Sequence, residues 1–215
     1  MMMNTRGDIQ IGLYLMRNGV TLSGSRLGPY RGVDRMPQTP SPFALASASP
    51  SGRPGWDRLW LDYWAAEDAG SLHADLLVAR SFQEQFGAHG IDLELVYITL
   101  AALPDDRWLT DEIWKSNLAE AVARYQTGSH IRAEAPVGAQ HLGFDIAWPV
   151  PSFHSAIYEP GLDKVSPNFV GELNAHGLFG DIDQAVAKLD EALSLRYSPT
   201  PFCVLGVYHV PKGLK

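Results

Sequence analysis

The stretch Ile91–Leu100, "IDLELVYITL", decides the fold. Ile91, Leu93 and Leu95 alternate with Asp92 and Glu94, the period of a strand with one wet face. From Val96 onward both faces are apolar, so the second half is expected to lie centrally, covered on both sides. Around it the chain alternates between helical and extended patterns. Before it, Ser71 can cap a helix running to about Phe86, with Leu72, Leu76, Ala79 and Phe86 on one stripe and Gly87 or Gly90 as its stop. After it, Pro104 breaks the run. Thr110 then precedes a second helix with Asp111 and Glu112 in its first turn, where carboxylates favour the helix dipole. Trp114, Leu118, Ala121, Val122 and Tyr125 form its apolar face.

Towards the C-terminus, "HLGFDIAW" (His141–Trp148) reads as a strand closed by Pro149 and Pro151, and "FHSAIYE" as another short one. Ser166–Pro167 is a helix-start pair, with Gly177 as the exit of that helix. Asp181 caps a further helix, Gln184 completes a capping box, and Ile182, Ala185, Val186, Leu189 and Leu193 make its stripe. "PFCVLGVYHV" (Pro201–Val210) is a closing strand. The expectation is one α+β domain over residues 56–215, a mixed or antiparallel sheet packed with helices, preceded by a flexible N-terminal tail over residues 1–55.

Residues 23–55 are about half Ser, Pro and Gly, too poor in large apolar side chains to offset their ordering entropy. Ahead of them, "IQIGLYLMRNGVTL" contains Asn18–Gly19, a hairpin turn pair, and such a hairpin forms only if it docks on the body. The body itself is expected to begin near Trp56. "WDRLWLDYW" favours a strand, with a short helix placing Trp60, Tyr63 and Trp64 on one face as the alternative.

The net charge of −7 hides an asymmetry. Residues 1–55 carry six arginines against Asp8 and Asp34, a balance of +4 that leaves −11 on the rest. An acidic body repels phosphates, which argues against nucleic acid, and attracts a basic partner. No apolar run reaches the ~18 residues of a membrane span. Ile9–Met16 has the outline of a short signal segment but is broken by Gln10 and Gly12. Cys203 is the only cysteine, which fits a reducing compartment, so a cytoplasmic location is expected. Its apolar neighbours suit an inert buried thiol.

Metal and phosphate motifs are absent: there is no H-E-x-x-H, no paired C-x-x-C, no G-x-S-x-G and no Walker loop, so neither a metal nor a cofactor is expected. The best catalytic constellation is His141, Asp145, His154 and Glu159. His141 and Asp145 are four apart on a strand and should share a face, and a His–carboxylate pair suits general acid–base chemistry. For binding, "PDDRW" offers Asp105, Asp106 and Trp108, two carboxylates beside a large aromatic anchor. Asn174 and His176 are left over once caps are assigned, and the six tryptophans admit a homodimer face as a third reading.

At "LGFDIAWPVPSFHSAI", "LNAHGLFGDIDQAVAKL" and "PFCVLGVYHV" the chain resembles a set of small uncharacterised bacterial proteins. These share a "G[FY]D" strand, an "LN..GLF" helix pair and a terminal "PF.V.G" strand, and are similar to immunity proteins of bacterial toxin systems. The likeness covers Leu142–Val210 and rests on structural residues. It implies a protein-binding module of the immunity-inhibitor kind and carries no site residues over; the acidic body adds the expectation that the effector is basic.

Overall fold

A computed structural model describes residues 9–17, 19–21, 27, 28, 30, 58, 59, 62, 63, 75–127, 137–148, 154–157, 166–194 and 201–214. The strands are β1 (Ile9–Arg17), the two-residue β2 (Val20–Thr21), β3 (Glu94–Ala102), β4 (Gln140–Ala147) and β5 (Cys203–Val210). The helices are α1 (Leu76–Ala88), α2 (Glu112–Thr127) and α3 (Ile182–Ser194). All strand pairings are antiparallel, in the order β2-β1-β3-β5-β4, so the fold is α+β with β3 at the centre.

The register divides the core. One face carries Tyr14, Met16, Val96, Ile98, Leu100, Leu205 and Val207, packed with Leu27, Tyr30, Leu142, Leu178 and Leu118 of α2. The opposite face is shared by two helices. Ala79, Phe82 and Phe86 of α1 cover Leu13, Leu15, Leu95 and Tyr97, while Ala185, Leu189, Ala192 and Leu193 of α3 cover Ile146 and Val204. Each fully buried Leu, Phe or Val side chain contributes roughly 1.5–3 kcal/mol, and β3 collects that gain on both faces.

Local chemistry sets the element ends. Asp75 caps α1 through its side chain to Leu77 N at 2.7 Å. Asp111, not Thr110, caps α2, its Oδ1 accepting from Ile113 N at 2.8 Å and Trp114 N at 3.2 Å. Asp181 caps α3 as expected, but Gln184 reaches the Glu172 carbonyl rather than closing a capping box.

Three expectations are corrected. The body does not begin near Trp56: β1 lies inside the sheet, with Leu13, Tyr14, Leu15 and Met16 at most 3 % exposed. Its hairpin with β2 turns at Gly19, whose φ of +75° a side chain disfavours. Most of Ser23–Gly55 lies outside the described residues. Arg58, Leu59, Asp62 and Tyr63 are helical rather than extended, with Leu59 and Tyr63 buried against α1 and Arg58 paired to Asp62 one turn on. The helix expected from Ser166 to Gly177 is a single 3-10 turn, Pro167–Phe169. Beyond it Asn174 takes over, its Oδ1 accepting from His176 N and Leu178 N and its Nδ2 donating to the Leu142 carbonyl at 2.8 Å. A side chain that offers the backbone this alternative competes with helix.

The outer edge of β4 is closed by short pairings. Phe144 exchanges both backbone hydrogen bonds with Phe179, Ile146 O accepts from Ala156 N, and Trp148 N donates to His154 O.

Candidate functional site

Two regions gather the polar chemistry: the end of β4 with the segment 154–157, and the turn from Asp105 to Glu112. The first holds most of the expected His–carboxylate constellation, and the structure takes that constellation apart. A bulge in β4 places two residues, Leu142 and Gly143, where its partner advances by one: His141 faces Tyr208 and Gly143 faces Val207. The bulge inverts the alternation beyond it. His141 therefore shares a face with Phe144, its ring 4.6 Å from Phe144 and 4.8 Å from Tyr208. Asp145 lies opposite Leu205 on the other face.

Gly143 is needed at the bulge. Its φ is +143°, and a Cβ there would sit 2.6 Å from the Phe179 carbonyl oxygen.

Asp145 is fully buried. Its Oδ1 accepts from the Ser155 hydroxyl at 2.6 Å, and Ser155 Oγ accepts in turn from Ile157 N. Oδ2 has no well-formed hydrogen bond among the described residues, and Gly28 closes over it. Burial raises the Asp145 carboxyl to about 7, against the opposing pull of the Ser155 hydroxyl and the Ile146 and Gly28 amides. His154 is exposed on the far side of that segment, its ring 4.7 Å from Trp148, and partial burial holds its imidazole below the usual value. Glu159 lies outside the described residues. His141 and His154 thus do not meet Asp145, and a carboxyl closed off from solvent cannot act as a general base on a substrate.

No match to this chain exists among known protein families, curated proteins or solved structures.

Among the described residues no group of three or more His, Cys, Asp or Glu side chains could hold a metal, and no helix is long and apolar enough to cross a membrane. Cys203 is buried, and burial raises its thiol far from the reactive range.

The second region differs from its sequence reading in one respect. Trp108 is not a free anchor: it is half-buried, and its indole Nε1 donates to Asp190 of α3 at 2.6 Å. Arg107 also pairs with Asp190, and its guanidinium lies 5.9 Å from the Trp108 ring centroid. Asp105 turns the chain by accepting from Arg107 N at 3.1 Å. Asp105, Asp106, Asp111 and Glu112 remain exposed, and so do two apolar side chains beside them in sequence, Leu103 at 38 % and Ile113 at 64 %.

Sequence reasoning missed Ser155, Gly28 and the Tyr30–Glu94 pair. Tyr30 is buried, and its hydroxyl donates to Glu94 at 2.6 Å; burial and that carboxylate push the phenol well above its usual range. None of these contacts is local, so no spacing in the chain announces them.

Proposed function

We propose that this chain is a protein-binding module that captures a basic partner in the cytoplasm, as an immunity-type inhibitor of a bacterial effector does. The observation that carries this reading is the Asp105–Glu112 turn. It presents four exposed carboxylates between Leu103 and Ile113, and Trp108 and Arg107 tie it to α3. A turn held this way loses little conformational freedom on binding, which reduces one of the main costs of association. Carboxylates around apolar side chains suit a cationic surface with an apolar centre: the charges speed the encounter and the apolar contacts slow release.

The test is capture at low ionic strength, followed by association kinetics with the purified partner. A stoichiometric basic protein is expected, with an association rate that falls with salt and drops roughly tenfold in Asp105→Asn/Asp106→Asn. A partner indifferent to both salt and this substitution would overturn the reading. So would recovery of nothing but a second copy of the chain, which would favour the homodimer instead.

A further inference from the structure

Where the acidic turn meets α3, the surface already holds a guanidinium. Asp190 of α3 accepts from the Trp108 indole through Oδ1 at 2.6 Å, which fixes the plane of its carboxylate. Its Oδ2 pairs with the Arg107 guanidinium. The same guanidinium lies 5.9 Å from the Trp108 ring centroid, and its Nε is 3.9 Å from Asp105 Oδ2. Two carboxylates and an aromatic ring thus meet one planar cation. An arginine suits all three, because its fork pairs with carboxylates while its flat face rests on a ring; a lysine ammonium is a compact point charge.

This pair is built for exchange rather than for holding the fold. The Arg107 side chain is 60 % exposed and that of Asp190 43 %, and a pair so open to water contributes little to stability. α3 treats its own cation differently. Lys188, the only basic residue of that helix, is 25 % exposed and is locked between Glu172 and Glu191. If Arg107 swings away, the turn keeps the indole bond to Asp190 and the bond from Arg107 N to Asp105. The stripe of α3 that carries Asp190 also serves an incoming chain. Asp183, Val186 and Asp190 are spaced i, i+3, i+7 on one side of the helix, and Asp183 and Val186 are exposed.

We propose that Asp190 and the Trp108 ring form an arginine seat for the basic partner, and that Arg107 occupies this seat as an internal surrogate until the partner's arginine displaces it. The proposal rests on the basic-partner reading and deepens it by naming the side chain received. The incoming arginine takes the place of Arg107 at Asp190, an apolar neighbour packs on Val186, and a second cation meets Asp183. Those added contacts favour the exchange over the weak pair that it breaks.

The test uses the full chain and two capped basic peptides of equal length and charge, one of arginine and leucine, the other of lysine and leucine. At low ionic strength the arginine peptide is expected to shift the Trp108 indole N–H resonance and to bind about tenfold more tightly than the lysine peptide. Arg107→Gln removes the internal competitor and is expected to tighten the arginine peptide about fivefold while changing the lysine peptide less than twofold. Asp190→Asn should remove the preference for arginine. Equal affinity for the two peptides, an unmoved Trp108 resonance, or a gain in Arg107→Gln shared equally by both peptides each overturns the seat. The last outcome is what a change in net charge alone produces. In all three, salt-dependent binding of both peptides leaves the basic-partner reading standing. Binding of neither peptide by any form also overturns the seat, and capture of the basic protein then decides the wider reading by itself. The comparison of the two peptides on the native protein needs no substitution.

Discussion

The turn at Asp105–Glu112 and the cradle of Asp145 both place a carboxyl beside a hydrogen-bond donor, and they put it to opposite use. At the turn, Asp105 and, from α3, Asp190 flank Arg107 at the surface and serve as a field. In the cradle, Asp145 has Ser155, two amides and no cation among the described residues, and burial raises its carboxyl. The teaching is that the solvent around a carboxylate, more than its identity, decides its role. Exposed ion pairs contribute little to stability, whereas a lone buried charge costs several kcal/mol.

The sharpest way to break this contrast is to let water into the cradle. Leu178→Ala removes a fully buried side chain beside Asp145 and is expected to cost about 2–5 kcal/mol, read from the urea midpoint. The carboxyl should then titrate closer to its ordinary value. A loss below about 1 kcal/mol would mean that the packing around Asp145 is loose.

Next in size is the pH dependence of stability. Between the ordinary value of 3.8 and about 7, the native protein keeps a proton that the unfolded chain has released. Asp145 therefore stabilises the fold most fully below pH 4 and loses that contribution as pH rises to 7, by up to about 4 kcal/mol. Urea midpoints measured from pH 4 to 8 should decline in the native protein more steeply than in Asp145→Asn. Parallel curves would remove Asp145 as the cause.

Smaller changes are expected at the turn. Trp108→Phe removes the indole donor to Asp190 and should cost about 0.5–1.5 kcal/mol in thermal or urea unfolding. Asp105→Asn/Asp106→Asn should leave stability within about 0.5 kcal/mol while changing salt-dependent association, so that charge and fold separate at this site.

Much of the sheet was legible because burial on both faces leaves a mark on the sequence. "VYITL" carries large apolar side chains on both faces, with Thr99 its one aliphatic hydroxyl, and β3 is indeed central. The apolar stripe of α3 and the closing strand β5 were equally plain. β1 was missed as a sheet member because Gln10 and Gly12 dilute its pattern and a Ser/Pro/Gly stretch follows it. Its stability comes from pairing with β3, about eighty residues later, which composition does not record. The bulge at Leu142–Gly143 was invisible for a related reason. One extra residue reverses every side chain after it, and only the partner strand fixes where it falls. Trp108 was singled out as a binding anchor, but the partner that ties it down, Asp190, sits 82 residues away on α3.

The pairings along the outer edge of β4 have a consequence for handling this protein. Backbone groups of Phe144, Ile146 and Trp148 are occupied by Phe179, Ala156 and His154, which denies a neighbouring molecule a template for strand addition. Two of those three covers, Ala156 and His154, belong to the short segment that Ser155 ties to Asp145. Any change that loosens that segment would bare two of the three covered positions, and turbidity or fibre formation should begin there, long before the central strands come apart.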